Sequence, residues 1–94
     1  MTPRITAVVF TPSSSLDAAD GLLGWLRVQV DHWLEIDGVV LRRSSQGELR
    51  LHFPSRVDRA GFRRHYARPM NEPARVAIHE QIIAQLRSER RLPS

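Results

Sequence analysis

The spacing of apolar residues changes period once along this chain, and that change fixes its fold class. From Gly24 to Val30, Leu26, Val28 and Val30 alternate with Trp25, Arg27 and Gln29, the spacing that sends successive side chains to opposite sides of a strand. Glu48 to Phe53 repeats the pattern, with Leu49, Leu51 and Phe53 on one side and Glu48, Arg50 and His52 on the other. Beyond Asn71 the spacing becomes i, i+4, i+8 through Ile78, Ile82 and Leu86, and Val76 and Ile83 widen the stripe. That is the period of an amphipathic helix. A run of strands followed by one such helix predicts an α+β fold, with the helix covering one face of a small antiparallel sheet. A single domain follows: four to five strands over residues 4–53, a basic segment over 54–70 and a C-terminal helix over 72–90.

The segments between these anchors fill in the order. Arg4 to Phe10 is short and β-branched and reads as the first strand; Thr11-Pro12-Ser13-Ser14-Ser15 then breaks it into a polar loop. Trp33 to Leu41 reads as two extended pieces around Asp37-Gly38, a dipeptide suited to a tight turn or a bulge. Ser44 to Gly47 reads as a hairpin loop. Asn71 can cap the helix, Glu72 and Pro73 suit its first turn, and Arg87, Arg90 and Arg91 suit its C-terminal end before Pro93. The sheet face turned away from the helix carries Trp25 and Trp33. Large apolar side chains there mark a partner surface, here a homodimer interface, or else cover loops within the monomer.

A chain of 94 residues has room for one modest core, and without cysteine it gains stability by pairing with a copy of itself. The lack of cysteine excludes disulfides and cysteine-based zinc sites. No apolar run approaches a membrane span, and Met1-Thr2-Pro3-Arg4 lacks the long apolar stretch expected of a signal peptide. The cytoplasm is the expected compartment. All 14 basic residues are arginines, and their distribution is uneven. Residues 1–41 set Arg4 and Arg27 against Asp17, Asp20, Asp31, Glu35 and Asp37, a net charge of −3. Residues 42–68 set eight arginines against Glu48 and Asp58, net +6, and residues 69–94 are net +1. Such a field points toward a polyanion such as nucleic acid, although a solvated loop produces it too.

Candidate chemistry is sparse. His32, His52, His65 and His79 share no metal-ligand spacing; no phosphate loop, nucleophile elbow or HExxH motif occurs. No enzyme, cofactor, metal or small-molecule substrate is expected. The segment from Pro54 to Arg68 is different, because Arg56, Arg59, Arg63, Arg64 and Arg68 are interleaved with Phe62 and Tyr66. Guanidinium groups bridge phosphate oxygens and aromatic rings stack on unpaired bases. The same residues also fit a solvated, irregular loop anchored by its two rings.

Phe53-Pro54-Ser55-Arg56, Gly61, Arg64, Pro69-Met70-Asn71 and Arg75 resemble the C-terminal half of the SpoVG family, whose members read M-P-S-R, G, R, H-P-I-N and T-R in the same spacing. The family takes its name from a stage V sporulation protein of bacteria that also influences septation. Ile5-Thr6-Ala7-Val8 resembles its opening strand, Ile36-Asp37-Gly38-Val39 stands where members carry a V-H-D-I-like motif, and the similarity runs from Arg4 to Leu86. Asp37 and Arg68 replace family histidines, and Ala60-Gly61-Phe62 replaces an acidic D-G-E stretch. The resemblance implies a cytoplasmic homodimer formed by joining sheets, which binds DNA and in some members RNA to regulate gene expression and division. Arg75 matches a basic position near the start of the C-terminal helix linked to nucleic-acid binding, and Arg56 and Arg64 match motif arginines. The expected site is therefore Arg56, Arg59, Arg63, Arg64 and Arg75. An adaptor of the division machinery, binding protein through Trp25, Trp33 and the acidic N-terminal part, is the alternative.

Overall fold

The computed structural model describes residues 3–89; Arg90, Arg91 and Pro93, expected at the helix end, lie outside them. Four strands, β1 (Ile5–Pro12), β2 (Leu22–Val30), β3 (Leu34–Arg43) and β4 (Leu49–His52), form an antiparallel meander in the order β1-β2-β3-β4. The C-terminal helix α2 (Glu72–Ser88) lies on one face, so the α+β architecture stands. Ile82, Ile83 and Leu86 of α2 meet Ile5, Val8, Leu26, Val28, Val39 and Leu41 of the sheet in one core. Asn71 caps the helix by accepting the Ala74 N–H at 3.0 Å, and Pro73 sits in the first turn. Val76 departs from the expected stripe: it is 38% exposed, turned out of the core.

Three register shifts reconcile the sequence with the pleat, one of them between Leu22 and Gly24. Ile36 and Val39 both face inward although an odd spacing separates them, because Leu26 opposes Val39, Arg27 opposes Asp37, and Gly38 is left over. Gly38 takes φ 82, a left-handed value that side chains resist. Asp37-Gly38 is thus a bulge within one continuous strand, not a turn between two. A second irregularity, between Ile5 and Ala7, lets Ile5 and Val8 share the inner face. Gly24 serves another need, since a Cβ there would lie 2.6 Å from the Phe10 ring.

The β2–β3 connection is a three-residue loop, Asp31 to Trp33, between the paired Val30 and Leu34; Asp31 and His32 take φ values of 53 and 63 that suit a tight reversal, and Trp33 N–H closes it onto Val30 C=O at 3.0 Å. Trp33 therefore lies in the turn, not in a strand as expected. A short helix α1 (Ser15–Ala19), with Ser14 accepting the Asp17 N–H at 3.1 Å, occupies part of the expected polar loop. The two sheet edges differ. On β1, Gln81 of α2 accepts the Ile5 N–H at 2.8 Å and donates to Pro3 C=O, and Gln85 donates to Ile5 C=O at 2.7 Å. On β4 no strand pairs beyond it among the described residues. Ser44 N–H bonds Glu48 C=O, so by alternation the main-chain groups of Leu49 and Leu51 point away from β3 to the open edge.

Candidate nucleic-acid interface

The basic segment is ordered where irregular backbone was expected. Ser55–Val57 (β5) pairs with Arg63–His65 (β6) in a separate two-stranded hairpin, Arg56 opposite Arg64 and Val57 opposite Arg63. None of the β6 side chains is buried, so turn chemistry carries the element. Asp58 supplies it: Oδ1 accepts the N–H groups of Ala60 and Phe62 at 3.0 and 2.9 Å, and Oδ2 accepts Arg64 Nε at 3.0 Å. Gly61 provides the φ of 87 that closes the loop, and Tyr66 N–H ties the hairpin base to Pro54 C=O. The Arg64 guanidinium also lies 5.9 Å from the Phe62 ring centroid, a cation–π contact.

These bonds, first the one from Arg64 and then the one from the Phe62 amide, hold the Asp58 carboxyl below the ordinary carboxylate range. A carboxylate depressed in the folded state supports the fold above its unfolded pKa, and that support is lost as pH falls through the lower, folded value. The hairpin is therefore expected to hold at neutral pH and to loosen only below the usual aspartate range near pH 3.8. In Asp58→Ala, amide exchange at Ala60 and Phe62 should be fast already at neutral pH while α2 stays protected. Equal protection of both amides in wild type and variant would remove the capping role.

The five expected arginines do not form one cluster. Arg56 and Arg64 share one face of the hairpin, Arg63 faces the other, and Arg59 occupies the exposed loop. Arg64 is committed to Asp58, and Arg75 to Glu72 on the same helix through Nε at 2.8 Å and a second short bond from Nη2. That pairing lowers the Glu72 pKa and raises that of Arg75. Arg63 donates to the neutral Ser55 hydroxyl at 2.8 Å and keeps its charge uncompensated.

Arg63 and Arg75 do meet across a groove of about 1230 Å³ that runs along the open edge of β4. Its apolar lining includes Leu49, Leu51, Phe53, Val76 and Ile83; Arg68, Arg87, His52, His65 and His79 join the two arginines around it. Arg68 and Arg87 make no ion pair among the described residues. Arg75, His79, Ile83 and Arg87 stand at i, i+4, i+8 and i+12, one face of α2. The wall is thus spelled out in the sequence, but the signal is masked there because Arg87 also has a reason to sit at a helix end. Trp25 is 40% exposed on the outer face of β2 and Trp33 is 92% exposed beyond that strand's far end. The two indoles do not form one patch.

No protein-family model matches the sequence, and no curated protein matches it. Among the described residues, no group of three or more His, Asp or Glu side chains is placed to hold a metal ion. No helix among them is long and apolar enough to cross a membrane.

Proposed function

We propose that the chain is a SpoVG-like nucleic-acid-binding regulator, acting in the cytoplasm as a homodimer on DNA or RNA to influence gene expression, septation or sporulation. It works by binding, without catalysis or cofactor. One observation carries the reading: Arg63 from β6, Arg68 from the following link, and Arg75 and Arg87 from α2 converge on a single groove. Glu48 and Glu80 are the acidic residues of its lining, and Glu72 holds Arg75. Beside the groove, Arg56 and Arg59 make no ion pair among the described residues, on a hairpin that also exposes Phe62 and Tyr66. Cations tracking a backbone next to stacking rings are what a single strand requires.

The sheet edges support the dimer part of the proposal. Gln81 and Gln85 hold the Ile5 end of the β1 edge, whereas among the described residues no strand or helix side chain bonds along the outer edge of β4, and open edges of that kind favour pairing. The two grooves would then meet across the two-fold axis. Fluorescence anisotropy with labelled single- and double-stranded oligonucleotides, with sedimentation in the same buffers, tests both points. Binding at low salt that weakens steeply as salt rises, by a protein of twice the chain mass, is expected. Absence of binding at the lowest salt would end the nucleic-acid reading, and a monomer at micromolar concentration would end the dimer.

A further inference from the structure

Three of the four histidines, distant in sequence, line the same groove: His52 on β4, His65 on β6 and His79 on α2. His52 and His65 are exposed, whereas His79 is half-buried. On the helix, His79 stands one turn from Arg75 and two turns from Arg87, roughly 6 and 12 Å of axial rise. Arg63 of β6, Arg68 of the link and Arg50 of β4, the last paired with Glu48, also line the groove; Glu48 and Glu80 are its acidic groups. Burial first, then Arg75 and Arg87, hold the His79 imidazole below its ordinary pKa, against the opposing pull of Glu80. In the free protein at neutral pH, His79 is the uncharged member of a cationic wall.

A phosphate entering this groove reverses the local field. It offsets the charge of the arginines that disfavour the imidazolium, and it offers the ring an acceptor that only a protonated nitrogen pair fully exploits. We infer that the groove takes up a nucleic-acid phosphate together with one proton, and that His79 is the residue that carries it. The inference rests on the nucleic-acid reading above and adds a binding residue and a pH dependence to it. Linkage gives the sign: a ligand that raises the affinity of His79 for a proton binds more tightly as pH falls, by at most about tenfold per pH unit for one proton.

Labelled oligothymidylate is the probe, because its bases do not titrate in mildly acidic to neutral buffer. At constant ionic strength, wild-type affinity should rise from about pH 7.5 to about pH 5.5 by roughly tenfold more than that of His79→Gln, with the two proteins agreeing at the higher pH. The double variant His52→Gln, His65→Gln should retain most of the additional rise. In wild type, the His79 ring resonance followed by NMR should titrate at a higher pH with the oligonucleotide than without it. An unmoved His79 titration, or the same pH dependence in His79→Gln as in wild type, overturns the inference and leaves nucleic-acid binding intact. No binding at any pH sinks the reading beneath it instead.

Discussion

Changing Arg63, Arg68 and Arg87 together to alanine is expected to weaken binding of a single-stranded oligonucleotide by roughly a hundredfold at low salt and to flatten its salt dependence by about two log units per log unit of salt. The slope is the sharper readout. Each phosphate contact on a single strand contributes roughly 0.7 to it, so three lost contacts remove about two. These arginines are chosen because none is ion-paired among the described residues: Arg63 holds only a serine hydroxyl, and Arg68 and Arg87 hold no carboxylate. All three side chains are exposed, so their loss should leave the core and the thermal midpoint nearly unchanged.

The family-like positions should respond differently. Arg64 is tied to Asp58, the more sheltered partner at 23% exposure, so Arg64→Ala acts by loosening the β5–β6 loop. Arg75 spends much of its field on Glu72, and Glu72→Gln should therefore strengthen binding about twofold where Arg75→Ala weakens it only modestly. If Arg63, Arg68 and Arg87 could be removed without changing the salt slope, the groove would not be where phosphates sit, and Arg56 and Arg59 on the hairpin's other surfaces would become the contact set.

What the sequence made legible follows from how local each signal is. Leu26 and Val28 in β2, and Ile82 and Leu86 in α2, sit on unbroken periods, and each is buried where its period puts it. Ile5 with Val8, and Ile36 with Val39, are out of phase for a flat strand, and only the pairing partners reveal which residue is extruded. The β5–β6 hairpin escaped for a different reason: with three residues per strand and no buried side chain on β6, it has no apolar pattern to read. Its signal lay instead in Asp58 and Gly61, the residues that bend and cap the loop. The groove was hidden by distance, since His52, His65 and His79 share no spacing and meet only when α2 folds back over the sheet. Trp33 misled because its size suggested a face, while left-handed Asp31 and His32 place it at a turn.

Val76 and Ile82 turn that contrast into a measurement of what covers the groove. Both belong to the apolar stripe of α2 as the sequence spells it, yet Ile82 is fully buried against the sheet and Val76 lies at the groove with 38% of its surface exposed. Ile82→Ala removes buried methyl groups and leaves a cavity, which costs about 2–5 kcal/mol. For a chain of this length total stability is roughly 5–14 kcal/mol, so urea unfolding should show a large fall in midpoint. Val76→Ala should cost less than about 1 kcal/mol in the monomer, because the valine is already partly in water. If the groove is kept for nucleic acid in the dimer, the Val76→Ala loss should stay as small at high protein concentration as at low; a loss that grows with concentration, while that of Ile82→Ala does not, would mean that a second copy covers the groove instead. Equal losses for the two variants at every concentration would mean that Val76 is as buried in the monomer as Ile82, which the packing of α2 does not allow.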